Sequence, residues 1–156
     1  MADTPGRRST STPVTSVACV TATPSWVASA IEQARVARLA TTGALVPICF
    51  AIVEKRLVSA VDHKPKRTEK LRRLADISAS GVATVLIDHY DDDDWTQLWW
   101  VRIRGAARVH GDDEPMVVPA RAALIAKYRQ YQAEPPSGPV YSVALDEVRA
   151  WRYRAP

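Results

Sequence analysis

The spacing of apolar side chains changes along the chain, and the changes mark the predicted elements. Between residues 24 and 34 the apolar positions recur at helical spacing, which predicts one short amphipathic helix. From Val36 onward the pattern shifts to alternation and to short apolar runs bounded by turn residues, which is typical of strands. The predicted strands cover residues 36–41, 45–53, 57–61, 82–89, 98–109 and 140–145. Short turns separate the first three strands, so an antiparallel meander is predicted there.

Two further helices are predicted between these strands. One begins near Pro65 and is highly charged, but Leu71, Leu74 and Ile77 give it an apolar stripe. The other runs from about residue 118 to residue 131. The order helix, three strands, helix, two strands, helix, strand predicts a mainly β (α+β) protein, a small antiparallel barrel with helices across its openings. Residues 1–23 are rich in Ser and Thr and predict a flexible N-terminal arm, which leaves residues 24–156 as the domain.

Composition narrows the class of protein and the class of ligand. The 156 residues are enough for one domain, and 47% hydrophobic with 24% charged residues is the balance of a soluble globular chain. The net charge of +4 favours an anionic ligand but is too small to predict nucleic-acid binding. Cys19 and Cys49 are the two cysteines, which excludes a disulfide scaffold and fits a cytoplasmic protein. Neither a membrane span nor a secretory signal is predicted.

A basic segment lies where the third predicted strand ends and the next helix begins. Lys64, Lys66 and Arg67 flank Pro65 there, and Lys70, Arg72 and Arg73 continue the positive charge along the helix, where they cannot all face one groove. Helix N-terminal amides, the positive end of the helix dipole and adjacent cations can together hold a phosphate or a carboxylate. The proline stiffens the loop and so lowers the entropy lost on binding. The alternative is a solvated helix face that only keeps the protein soluble.

Two adjacent tryptophans stand on the long predicted strand 98–109. Neighbouring side chains of a strand point to opposite faces, so we expect Trp99 and Trp100 to lie on different sides of the sheet. Two interpretations stay open. Both tryptophans pack in the core, or one is core while the other lines a subunit contact or a flat ligand.

The sequence carries no self-sufficient catalytic or metal-binding motif. Residues 91–94 are four aspartates in a predicted solvated loop, and His63, His89 and His110 lack the spacing of metal ligands, so no metal site is predicted. The GxSxG, GxGxxG and Walker patterns are also missing. A protein that borrows its chemistry from a cofactor would have such a sequence, because it contributes only orientation and electrostatics.

Several stretches, in this order, resemble those of a known superfamily. Residues 37–41 (ARLAT), 46–51 (VPICFA) and 60–67 (AVDHKPKR) resemble the pyridoxamine-phosphate-oxidase-like split β-barrel proteins. The later stretches 86–92 (LIDHYDD) and 98–102 (LWWVR) resemble the actinobacterial branch of F420-dependent oxidoreductases, which use a deazaflavin in place of FMN. The resemblance covers most of residues 24–156.

The resemblance implies a homodimer with a cofactor groove at each subunit interface and a small-molecule substrate. The flat ring would rest on one strand and meet the end of another, and the acidic tail would reach the basic segment. An extended polyanionic tail, as in F420, suits that segment better than the single phosphate of FMN does. The implied cofactor-binding residues are Pro47, Ile48, Cys49, Val61, Asp62, Lys64, Lys66, Arg67, Lys70 and Trp100.

Three functions are compatible with these features. The first is an F420-dependent oxidoreductase that transfers a hydride from reduced deazaflavin to an organic acceptor. The second is an FMN-dependent oxidoreductase of the same fold. The third is a carrier that binds a flavin or deazaflavin without catalysis. The third gains weight from the short first hairpin at residues 42–44 and from Ser80-Gly81-Val82, which replaces the arginine-containing Asn-Pro-Arg-Val of relatives. No catalytic residue is assigned.

Overall fold

A computed structural model describes residues 23–62 and 67–153, and for residues 67–71 it describes the backbone only. Of the predicted N-terminal arm, residues 1–22 lie outside the described residues. The helices are α1 (Ser25–Gln33), α2 (Arg67–Ser80), α3 (Val117–Lys127) and α4 (Arg129–Ala133), with a single 3₁₀ turn at Trp95–Gln97. The strands are β1 (Ala37–Ala40), β2 (Leu45–Ile48), β3 (Ala51–Val53), β4 (Arg56–Ala60), β5 (Val82–His89), β6 (Trp99–His110), β7 (Val140–Ala144) and β8 (Glu147–Arg152).

The strands form one antiparallel sheet that curls into a split barrel. Their order is β2-β1-β5-β6-β7-β4-β3, and β8 pairs with β6 beside this path. The two ends of the order, β2 and β3, are consecutive in the chain and are joined by Cys49 and Phe50 alone. So short a link holds the two ends of the sheet next to each other, although they are not paired. The predicted split antiparallel β-barrel with flanking helices is therefore confirmed.

The predicted meander has a break in its middle strand. Residues 45–53 form two strands, of which β2 pairs with β1 and β3 pairs with β4. The break is at Phe50, whose side chain is fully buried. The Phe50 N–H donates to the Tyr128 hydroxyl at 2.9 Å, so a side chain from the other end of the chain replaces the missing strand partner.

The core lies inside the curled sheet and is closed by the helices. Val101 and Ile103 of β6 alternate with exposed arginines, and the two apolar side chains are fully buried. On α2, Ile77 is buried and Leu74 packs against the same cluster, which confirms this part of the predicted stripe. The third member, Leu71, belongs to the residues whose side chains are not described. A second cluster packs under α3.

Two further elements differ from the prediction. The helix expected over 118–131 is interrupted at Tyr128, which is extended at φ −118° and ψ 119°. Its hydroxyl lies 2.9 Å from the carbonyl oxygens of Arg35 and Phe50 and donates to one of them. Strand β8 was not predicted at all. Among the described residues, no helix has the length and apolar character needed to cross a bilayer.

Candidate functional site

The end of β4 is fixed by a turn that precedes β7. Val61 N–H donates to Pro139 O at 3.1 Å, and Gly138 N–H donates back to Val61 O at 3.1 Å. Gly138 has no side chain to separate the two segments: a Cβ there would lie 2.3 Å from Val61 O. This contact places Asp62, the next residue, at the point where the basic segment begins.

Two of the predicted cofactor-binding residues, Cys49 and Asp62, meet beside two tyrosines. Burial raises the pKa of Tyr131, and the neighbouring Cys49 and Asp62 raise it further. Burial also raises the pKa of Tyr141, where Cys49 and Asp62 act in the same direction and Arg73 opposes them. We call these five residues the polar corner. They come from α2, α4, β7, the end of β4 and the link between β2 and β3.

The polar corner contains a buried polar atom that lacks a partner, Arg73 Nε. The Arg73 guanidinium lies 5.7 Å from the centroid of the Tyr141 ring. Arg73 Nε makes no hydrogen bond within the described part of the chain, whereas the buried Tyr141 hydroxyl has the Ser59 side chain beside it. A buried polar group left unpaired costs about 1–3 kcal/mol. An acceptor group of a ligand placed here would offset that cost, so the residues present fit an anionic or polar ligand.

Neighbouring arginines of α2 point to different places. Arg72 lies against the β1–β2 turn, where its guanidinium nitrogens are 2.8 Å from the position a Cβ on Gly43 would take. Arg73 instead reaches the polar corner. Successive helix residues are about 100° apart, so basic residues on this helix cannot all face one groove. Of the predicted tail-binding residues, Lys64 and Lys66 lie outside the described residues, and the side chains of Arg67 and Lys70 are not described.

The remaining predicted contacts on β2 and β4 differ in exposure. Pro47 is exposed and Ile48 is buried opposite Ala37, so a ring on this strand would meet the backbone of Ile48 rather than its side chain. Val61 is also buried. Cys49 is a partly exposed free thiol. Of the predicted ring contacts on this strand, Pro47 and Cys49 thus have accessible side chains.

Trp99 and Trp100 lie on opposite faces, as the sequence predicts. Trp99 packs against the core, 6.3 Å from the Trp26 ring in an edge contact and 6.3 Å from the stacked His89 ring. Trp100 faces outward and is paired across the sheet with Trp151 of β8. A shallow depression of about 440 Å³ lies there, lined by Leu86, Trp100, Arg102 and Trp151 among others.

Trp100 and the polar corner lie toward opposite ends of β6. At the end away from Trp100, His110 pairs with Val140, which in turn pairs with Ala60, two residues before Asp62. Trp100 and His110 are ten residues apart, a path of roughly 33 Å along the strand at about 3.3 Å per residue.

Tyr131 and Tyr141 are site residues that sequence analysis did not single out as ligand contacts, whereas Arg73 belongs to the basic run that it did. Tyr141 sits in a mostly apolar strand, where an aromatic residue is ordinarily core, and Tyr131 is the buried residue of the short polar helix α4. Only the pairing of β7 with β4 and the packing of α4 bring them to Asp62. A tyrosine within an otherwise aliphatic strand is a weak signal, because a buried hydroxyl needs a partner.

Comparison with known proteins supports the fold. No family model matches the chain, and no curated protein matches its sequence. Three solved structures are similar in fold. A conserved hypothetical protein from Mycobacterium tuberculosis has a TM-score of 0.65 and 15% identity, over 86% of this chain and 87% of that one. HutZ, a heme storage protein from Vibrio cholerae, has a TM-score of 0.62 and 7% identity, over 81% and 92%.

The third similar structure is a pyridoxamine 5'-phosphate oxidase candidate from Listeria innocua. Its TM-score is 0.58 at 12% identity, over 82% of this chain and 97% of that chain. Identities this low show a shared fold and nothing finer. The shared fold is the split β-barrel. The three proteins are described as a hypothetical protein, a heme storage protein and an oxidase candidate, so the fold does not identify the ligand of this chain, which has to be argued from its own residues.

Proposed function

We propose that this protein is an oxidoreductase that binds coenzyme F420 and transfers a hydride from the reduced deazaflavin to a small organic acceptor. The observation that carries the proposal is the polar corner. There Arg73 Nε is buried without a hydrogen-bond partner among the described residues, and its guanidinium lies 5.7 Å from the ring of the buried Tyr141. They lie beside Cys49 and Asp62, two residues for which the family resemblance implies cofactor contacts.

The residues of the polar corner would hold and orient the cofactor. The Arg73 guanidinium can donate to an anionic or carbonyl oxygen, and the Tyr141 hydroxyl can donate beside it. The backbone of β2 next to Cys49 offers a flat surface. When bound, the cofactor supplies the hydride, while the protein holds donor and acceptor close together and excludes water.

The charge of the chain favours a cofactor with a long acidic tail. Lys64 and Lys66 follow Asp62 by two and four residues, so a tail that leaves the polar corner along the chain meets them first. F420 carries a phosphodiester and a polyglutamate tail, whereas FMN ends in one phosphate. Several cations in succession suit the longer polyanion better.

The proposed functional unit is a homodimer. Trp100 and Asp62 lie toward opposite ends of β6 within one chain, and contact between two subunits is our proposed route for bringing both to one cofactor. A groove between two copies would combine the polar corner of one chain with the outward tryptophan of its partner.

Fluorescence titration with F420 and FMN, side by side, tests the proposal. Arg73→Gln should weaken F420 binding about tenfold or more, because a charge-assisted hydrogen bond is lost from a buried position. Arg72→Gln is the matched control: it removes the same charge from the next helix position and should change Kd less than about twofold. Equal losses in the two variants would show that net charge alone matters and would contradict the assigned corner.

A second experiment separates the alternatives. Oxidation of reduced F420 is followed by absorbance in the presence of a panel of quinones, enones and nitroaromatics. Turnover that falls in parallel with binding in Arg73→Gln supports the oxidoreductase. Tight binding without turnover of any acceptor would instead indicate a carrier, and tighter binding of FMN or hemin than of F420 would contradict the cofactor assignment.

A further inference from the structure

A large cavity lies between α1, α3 and β3, and most of its lining is apolar. Its volume is about 960 Å³. It is open to solvent on one side, and neither the fold nor the proposed cofactor site accounts for it. Apolar lining residues include Val27, Ile31, Ile52, Ala123, Leu145 and Val148.

One primary amine, that of Lys127 at the C-terminal end of α3, lines the cavity. Its Nζ lies 3.9 Å from the centroid of the buried Phe50 ring and 5.8 Å from that of Tyr128. It donates one long hydrogen bond, 3.4 Å, to the Ile31 carbonyl. Among the described residues no carboxylate forms a salt bridge with it. The amine is thus held in place by aromatic rings while its charge is poorly neutralised.

The surroundings of this amine lower its pKa. Burial is the largest cause and the neighbouring Arg35 adds to it, so that, with Cys49 and Glu32 acting in the opposite direction, the pKa of Lys127 falls to about 8. Roughly a tenth of the amine is therefore neutral at pH 7, against fewer than about one in a thousand for an ordinary lysine. A neutral lysine amine beside an apolar cavity is the usual form of a nucleophile that attacks carbonyl carbon.

We propose that Lys127 is a covalent binding site that forms a reversible imine with an apolar aldehyde held in this cavity. The Nζ lone pair forms a bond to the carbonyl carbon, and the carbonyl π electrons move to oxygen. A proton passes through solvent from nitrogen to that oxygen, giving a carbinolamine. The carbinolamine takes up a second proton, loses water and then releases a proton to solvent from the protonated imine. No electrons are gained or lost overall, and a water molecule is the only leaving group.

The cavity determines which aldehydes react. Most of its wall is built from aliphatic side chains of α1, α3, β3 and β8, with Glu32 and Arg35 also in the lining, so an alkyl or aryl body gains about 25 cal/mol for each Å² of apolar surface removed from water. A small aldehyde, which has little apolar surface, gains little there. Selectivity for apolar aldehydes therefore distinguishes this site from a lysine that is merely reactive.

Reductive trapping of the full chain tests the proposal. The protein is treated at pH 7 with hexanal and cyanoborohydride, and labelled lysines are quantified by peptide mapping. Lys55, exposed in the β3–β4 turn, is the internal reference. Lys127 should be labelled about tenfold faster than Lys55 or more, given its larger neutral fraction. With glyoxylate, a small anionic aldehyde, the preference should fall several-fold.

Two variants complete the test. Ala123→Phe fills part of the cavity and should slow hexanal labelling of Lys127 while leaving Lys55 unchanged. Lys127→Arg keeps the positive charge near Ile31 but cannot form an imine, so it should abolish the fast-labelled site. Equal labelling of Lys127 and Lys55 in the unmodified protein would overturn the proposal, and so would equal preference for hexanal and glyoxylate. Either result would leave Lys127 as a cap for the last carbonyls of α1.

Discussion

At the scale of single residues, the buried His110 shows how a polar group is accommodated next to the core. Its Nδ1 lies 2.9 Å from Glu114 Oε2 and its Nε2 lies 2.8 Å from Ser142 Oγ. The same Ser142 oxygen accepts from Arg56 Nε at 2.9 Å. Serine, histidine and carboxylate are in the order of a hydrolase triad, but Ser142 is fully buried and its oxygen is already occupied. The network therefore joins β4, β6 and β7 and does not attack a substrate.

Glu114 makes this network sensitive to acid. Bonds from His110 and from the Gly111 N–H, together with the nearby Arg108, hold the pKa of Glu114 below its usual value. The lower pKa belongs to the folded state, so this contribution to stability is present above the unfolded pKa of about 4.3 and is lost as pH falls further. We predict that the free energy of unfolding drops less steeply below about pH 4.3 in Glu114→Gln than in the unmodified protein.

Urea titrations followed by tryptophan fluorescence at several pH values measure this difference. Glu134→Gln, at an exposed glutamate, is the control and should keep the slope of the unmodified protein. A slope that is the same in Glu114→Gln and in the unmodified protein would mean that the His110 contact does not stabilise the carboxylate.

Single residues also show how far the sequence predicts the site. The opposite orientations of Trp99 and Trp100 follow from strand geometry alone, because one strand suffices to define them. Cys49 and Asp62 come from a resemblance, and the structure brings them together. The contact of Arg73 with Tyr141 could not be predicted, because it depends on how α2 and β7 pack, and the two residues are 68 positions apart in the chain. Local pattern carries no information on such a contact.

At the scale of elements, β6 is the strand that connects the two halves of the barrel by pairing with strands of both. Its first part pairs with β5 and β8, and from Ala107 onward it pairs with β7. Gly105 lies at this change of partner, where a Cβ would come within 2.0 Å of Ala144 O. The next residue, Ala106, donates its N–H to Asp146 Oδ2 at 2.8 Å. The absence of a side chain at Gly105 lets β7 cross β6 closely.

Gly105→Ala adds only one methyl group, but it should lower the free energy of unfolding far more than such a small change usually does. The new methyl group meets backbone, which cannot rotate away, so we expect a loss of about 3 kcal/mol in the free energy of unfolding, or failure to fold. Gly111→Ala is the matched control, because the nearest atom to a Cβ there is 3.8 Å away. Urea unfolding of both variants measures the difference, and similar midpoints would contradict the close approach.

Elements with a strong local pattern were predicted well, and those defined by distant contacts were not. The bounds of β5 are those expected, and β6 differs by one residue at each end. The sequence did not predict the break between β2 and β3 at Phe50, because the Tyr128 hydroxyl that stabilises this break is 78 residues away in the chain. Strand β8 was missed because Arg149 and Trp151 on one side are exposed and Val148 and Ala150 on the other are small and only half-buried.

At the scale of the whole molecule, the curled sheet separates two candidate functional surfaces. The polar corner is at the end of the barrel where β4 and β7 meet α2. The outward tryptophan surface, formed by Leu86, Trp100 and Trp151, lies near the opposite end of β6. Trp151 is 46% exposed, which is a large apolar side chain to leave in water. Aromatic residues are enriched in subunit interfaces, so a second copy of the chain is the expected cover.

We predict that Trp151→Lys weakens self-association by placing a charge in the interface. Light scattering coupled to size exclusion should give the unmodified protein a mass near two chains of 17.2 kDa and shift the variant toward one. Trp95→Lys is the control, since Trp95 is more exposed and lies in the 3₁₀ turn away from the paired tryptophans. F420 affinity should fall together with dimer content if the proposed groove is shared between two chains. A monomeric protein that binds F420 as tightly as a dimer would exclude the shared groove and confine the cofactor to the polar corner of one chain.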